Sequence, residues 1–159
     1  MNISPPCASR RQFLAATGTI ILLAYPQTGH ARTPLVTVAE AQLPPPSSND
    51  LSRRAVTRGP TIRSLSPDTD TTPLKANEPF RFNVEFAPRG GSRIDQSSIR
   101  VTYLRAHSIN ITDRLRPFIN ANGITIQDAV LPPGDHTLRV EVLDDQGRSG
   151  STSLSIRVR

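Results

Sequence analysis

LPPGDHTLRVEVLDDQGRSGSTSLSIRV, residues 131–158, is the stretch that decides the fold. Leu138, Val140 and Val142 alternate with Arg139 and Glu141. After Asp144-Asp145-Gln146-Gly147, Leu154, Ile156 and Val158 alternate with Ser155 and Arg157. A strand presents successive side chains to opposite faces, so alternation on both sides of a glycine-containing turn marks a half-buried β-hairpin. The pattern speaks of architecture, and it carries no catalytic signature.

Working outward, the same alternation recurs. Phe80, Phe82, Val84 and Phe86 interleave with Arg81, Asn83 and Glu85, and Pro88-Arg89-Gly90-Gly91 closes that strand. Ile99, Val101 and Tyr103 form another, with Arg100 and Thr102 on the reverse face. Ile62 and Leu65 precede a turn at Ser66-Pro67-Asp68. Ile109 and Ile111 make a short strand, as do Ile124 and Ile126 after the Asn122-Gly123 turn. Thr112-Asp113 is expected to cap one helical turn through Leu115, ended before Pro117, with Phe118 and Ile119 plugging the core beneath. No long helical period occurs. About seven short strands within roughly 100 residues predict an all-β, two-sheet antiparallel sandwich over 60–159.

The chain has 159 residues, 4% aromatics and no Trp. Its large apolar side chains are concentrated, with Phe80, Phe82 and Phe86 within seven residues, which suits one modest core. Arg32–Gly59 holds Pro44-Pro45-Pro46, Ser47-Ser48-Asn49-Asp50 and Arg53, Arg54 and Arg58. Three prolines favour an extended spacer, and the polar run after them cannot bury enough surface to fold. The expectation is a Pro-rich, flexible, disordered linker over 32–59, with Leu35, Val36 and Val38 leaving a short strand open.

The first residues resemble an address. Ser9-Arg10-Arg11-Gln12-Phe13-Leu14 is similar to the twin-arginine export motif, with Ala15 where a lysine often follows. The apolar run Ala15–Ala24 is too short for a membrane span and suits a signal peptide. Gly29-His30-Ala31 offers small residues for cleavage after Ala31, so residues 1–31 are expected to be removed, leaving no transmembrane span. Cys7 precedes the apolar run and would leave with it. The processed chain then has no disulfide or thiol chemistry. The resemblance implies a bacterial protein, periplasmic or secreted, exported folded.

Arg93–Val101, Leu131–Leu138 and the Asp144–Gly147 turn resemble signatures of bacterial immunoglobulin-like, fibronectin-III-like domains of the disulfide-free branch. The resemblance covers Pro60–Arg159, and Ile109–Ile119 departs from the commonest pattern. It implies the sandwich and says little of activity, because this architecture hosts adhesion, carbohydrate contact, subunit docking and spacing. It also implies that the strands of Arg100, Arg139 and Arg157 share one sheet, Arg139's in the middle. Their outward positions then make a basic stripe for an anionic partner, or simply a solvated face with Glu141 partly neutralising it.

Other chemistry is thin. The formal charge of +6 falls to +4 without Arg10 and Arg11, and from Pro60 onward 13 basic residues meet 11 acidic ones. That excess is too small and scattered for a nucleic-acid binder. His136, at a turn-to-strand position, reads as a structural ring. His107 reads as a loop residue, and the two make no zinc site. Asp144-Asp145 lacks the spacing of a calcium loop and suits a hairpin turn. No nucleophile elbow, phosphate loop or acid/base pair is present. The sequence therefore predicts a cofactor-free, metal-free, non-catalytic binding or structural module of the cell envelope or periplasm. Its partner is expected to be another exported protein or an envelope polymer. The alternative is an accessory subunit of a periplasmic redox enzyme.

Overall fold

Strand propensity and alternation produce the elements, and the computed structural model describes residues 32–47, 58–67 and 73–159. The expected signal peptide, including Arg10 and Arg11, lies outside the described residues, as do residues 48–57 of the expected linker. Strands β1 (Thr33–Pro34), β2 (Thr61–Ser66), β3 (Phe80–Ala87), β6 (Ile119–Asn120) and β7 (Gly123–Val130) form one sheet. Its order is β1-β7-β3-β2, with β6 also pairing β7. The second sheet runs β5 (Ile109–Asn110), β4 (Ile94–Leu104), β8 (Gly134–Asp144) and β9 (Ser149–Val158), in that order across the sheet.

The inward rows are the ones the alternation marked. Phe82, Val84, Phe86, Ile124 and Ile126 face Val101, Tyr103, Leu138, Val140 and Ile156, all buried in one core. Each such side chain contributes about 1.5–3 kcal/mol of burial free energy, set against the entropy of ordering the chain. The architecture is an immunoglobulin-like, two-sheet β-sandwich. The β8–β9 hairpin is in continuous register from Gly134↔Val158 to Leu143↔Ser149. Gly147 takes φ 74° in its turn, a conformation that favours glycine. At Gly150 a Cβ would collide with the Pro60 carbonyl, so glycine permits the chain entering β2 to touch β9.

Two expectations change. First, Thr33–Leu43 is folded onto the sandwich rather than part of a flexible linker. β1 pairs in parallel with β7, and Leu35 and Val36 are 0% and 2% exposed within the core. A short helix, α1 (Val38–Ala41), follows, closed by a capping box in which Thr37 and Glu40 satisfy each other's backbone N–H. The short strand left open around Leu35 and Val36 forms just before them, at Thr33–Pro34, and these two apolar residues find a place in the core.

Second, Ile111 rather than Thr112 occupies the N-cap of helix α2 (Thr112–Leu115), with no side-chain cap. Thr112's hydroxyl instead accepts from Val101 N–H at 2.8 Å, tying the helical turn to β4. Leu115, fully buried, fills the core here, while Phe118 and Ile119 only pack against its margin.

The β9 edge of the second sheet is met at both ends. Leu74 forms a parallel bridge to Val158, donating to Arg157 O at 3.0 Å and accepting from Arg159 N–H at 2.8 Å. Gly59–Pro60 closes on Ser149–Gly150 at the other end.

Candidate functional site

The outward face of the β5-β4-β8-β9 sheet carries all three arginines singled out from sequence. Val101, Val140, Ile156 and Val158 point into the core, so Arg100, Arg139 and Arg157 project from the opposite face. Arg139's strand is in the middle, as expected. The register divides the three. Arg100 lies opposite Glu141, and Arg139 lies opposite Thr102 on one side and Ser153 on the other. Arg100 and Arg139 line one groove of about 400 Å³ with Ser98, Glu141, Ser149 and Ser151.

Arg157 lies elsewhere. It sits opposite Asp135, four residues along β8 from Arg139 and so about 13 Å away. Its Nε is 3.0 Å from Asp135 Oδ1, and both side chains are well exposed. The expected stripe is therefore a pair with a distant third member. In the groove, two guanidiniums face one carboxylate among small hydroxyls. That arrangement suits an anionic, hydrogen-bonding ligand and offers no aromatic surface for stacking.

Ser98 shapes this groove through a β-bulge. The β4–β8 pairing is interrupted between Asp95 and Arg100, and Ser98 Oγ substitutes for the missing backbone acceptor, taking Leu143 N–H at 2.8 Å. Asp95 receives Ser97's hydroxyl and backbone N–H, bonds that hold its carboxyl below the ordinary range.

The polar side chains buried in the sandwich serve the fold. His136, 1% exposed, has Nδ1 3.0 Å from Tyr103 Oη and Nε2 2.8 Å from Pro132 O. A carbonyl only accepts, so Nε2 carries the hydrogen, and Nδ1 accepts from the tyrosine. Arg105 Nε in turn donates to Tyr103 Oη at 2.6 Å, with Arg105 Cζ 5.1 Å from the ring centroid. Every atom is satisfied by a neutral imidazole. Burial pushes its pKa down, helped by the Arg105 charge, and burial raises that of Tyr103. The structural reading of His136 matches this geometry, and its ring has no nitrogen left to offer a substrate.

At the other end of β8, Asp144 is 3% exposed. Its carboxylate accepts Gln146 N–H, Arg148 N–H and Arg148 Nε, the last at 2.7 Å. Desolvation raises its pKa, but bonds from Arg148, Ser92 and Gln146 outweigh that and hold it below the usual value. Arg148 also donates to Arg89 O, fastening the hairpin tip to the Pro88–Arg93 loop. The turn N–H groups and Arg148 take up the Asp144 carboxylate.

The third cluster was missed from sequence. Arg114 donates to both Glu40 oxygens, at 3.1 and 3.0 Å, and to Leu35 O at 2.8 Å. The Arg114 bonds to Glu40, with those from Thr37, lower the Glu40 pKa to about 2. Thr37-Val38-Ala39-Glu40, a capping-box pattern, was the signal available.

Among the described residues, no group of three His, Cys, Asp or Glu side chains could hold a metal ion. Among them also, no helix is long and apolar enough to cross a membrane. No family model matches the sequence, and no curated protein matches it. Among solved structures, the chain is similar to fibronectin(III)-like modules of Clostridium thermocellum CbhA, with 18% identity and a TM-score of 0.38. The match covers 64% of this chain and 47% of that one, so this chain spans about half the length of the structure it matches.

Proposed function

We propose that this chain is an exported, non-catalytic binding module of the bacterial envelope or periplasm, acting through the outer face of the β5-β4-β8-β9 sheet. The observation that carries this reading is the convergence of Arg100 and Arg139 on one groove with serine hydroxyls. Meanwhile His136, Asp144 and Glu40 are committed to internal bonds. Guanidinium forks recognise carboxylate and phosphate in two-point contact, so the partner is an acidic envelope polymer or an acidic patch on another exported protein.

The test is binding of the processed chain to immobilised polyuronate, with neutral dextran as control. Retention that weakens with salt and falls at least tenfold in Arg100→Ala/Arg139→Ala supports the proposal. Equal retention on dextran, or none lost in the double variant, refutes it. Export is tested separately. Arg10→Lys/Arg11→Lys should trap the chain inside the cell, and mass spectrometry of the exported form should place its first residue at Arg32.

A further inference from the structure

Thr33–Pro44 is held on the sandwich in the manner of a bound peptide. Its backbone extends the sheet beside β7, with Thr33 opposite Ala129 and Pro34 opposite Val130, and Leu35 N–H donates to Val130 O at 3.2 Å. Leu35 and Val36 fill apolar sockets. Arg114 grips Glu40 and the Leu35 carbonyl, and Ala106 N–H donates to Pro44 O at 3.0 Å. Strand addition supplies affinity, and the sockets and the arginine supply selectivity, as in other edge-strand recognition.

None of these contacts requires the occupant to belong to the same chain. Residues 45–58, 14 in all, join the segment to the rest of the sandwich. Pro44 lies by Ala106, near the start of β8, and Gly59 lies against Ser149, opposite its far end. Thr137 to Leu143 of β8 spans about 20 Å. Fourteen residues reach at most about 46 Å. A tether with that reach leaves a neighbour's groove accessible as well as its own.

We propose that this groove is an interface for a second copy of the chain, each copy placing its Thr33–Pro44 segment on the other. The contacts are the same within a chain and between chains. The balance is therefore set by the effective concentration of the tethered segment, on the order of millimolar. The chain is monomeric at micromolar concentration and pairs where copies are crowded. An emptied groove would strand the Arg114 guanidinium and the Leu35 socket, so exchange is reciprocal and closes as a two-fold pair.

The test uses two full-chain variants, Glu40→Arg and Arg114→Glu. In each, segment and groove carry like charges, within the chain and between identical copies. In an equimolar mixture both exchanged pairings are of opposite charge. Light scattering should give the monomer mass for each alone and twice that mass for the mixture. A mixture that stays monomeric, with both variants folded by circular dichroism, overturns the proposal. Should either variant fail to fold, Thr33→Cys/Ala129→Cys in a Cys7→Ser background decides the matter. Oxidised at about millimolar concentration, it should yield disulfide-linked dimers, and exclusively intrachain bridges would refute exchange.

Discussion

The two ends of β8 bury a polar side chain by opposite electrostatic strategies. At His136 the group is kept neutral: one ring nitrogen donates, the other accepts, and the Arg105 charge disfavours a further proton. At Asp144 the group is kept ionised, and its lone pairs are taken by two backbone N–H groups and a guanidinium. Both solutions satisfy a buried polar group, which is costly to leave unpaired. They differ in what they fasten. His136 ties the Pro132 turn to β4 through Tyr103, while Asp144 builds the hairpin tip and, through Arg148, joins it to the Arg89 loop.

The largest effect is expected from Asp144→Ala. It removes the acceptor of Arg148 Nε and of two turn N–H groups, loosening the hairpin tip. Hydrogen exchange should accelerate at Gln146 and Arg148, with a clear fall in the denaturation midpoint. Retained protection there would mean the turn stands without its acceptor.

Next is His136→Ala, which leaves a cavity and an unpaired Pro132 carbonyl and is expected to cost about 2–3 kcal/mol in urea unfolding. Tyr103→Phe removes the hydroxyl that links Arg105 to the ring, for about 1–2 kcal/mol. If Tyr103→Phe proves as costly as His136→Ala, the ring's own packing matters less than the linkage.

The pH dependence separates the two ends. The folded pKa of His136 lies below its unfolded value of about 6.5, so the unfolded chain takes up a proton that the native state refuses. Stability is full above about pH 6.5 and declines as pH falls through it, by at most about 1.4 kcal/mol per unit, until the folded pKa is reached. For Asp144 and Glu40 the folded pKa is depressed, so their contribution holds above about pH 4 and is lost only below it. The window from about pH 4 to 6.5 thus contains the His136 contribution without theirs. His136→Gln should flatten it in a series of urea melts, and an unchanged slope there would refute the assignment.

The smallest effect is Arg157→Ala, within about 0.5 kcal/mol, because the Arg157–Asp135 pair is exposed at both partners. A larger loss would mean that Arg157 supports the sheet as well as facing solvent.

Most of the sandwich was legible because half-buried strands must alternate, and the rows Phe82–Phe86, Val101–Tyr103 and Leu138–Val142 do so. The final hairpin was read as two strands about the Asp-Asp-Gln-Gly turn, and the observed strands reach back to Gly134 and Ser149. The segment Thr33–Leu43 was not, because Leu35 and Val36 are too few to show a period. Their burial depends on an unfilled edge of β7, about 95 positions later in the chain. The candidate groove was half legible. Alternation gave the face of Arg100, Arg139 and Arg157, but the bulge at Ser98 and the offset of β9 set which of them share a groove.

Local sequence by itself determined the strands, the Asp-Asp-Gln-Gly turn and which side chains face inward, because these depend on backbone geometry and neighbours a few residues away. Only the tertiary structure decided the pairing of Glu40 with Arg114, of Tyr103 with His136, and the separation of Arg157 from the other two arginines. The two contacts join residues 74 and 33 positions apart, and the separation follows from sheet register, so no local pattern signals which residues meet.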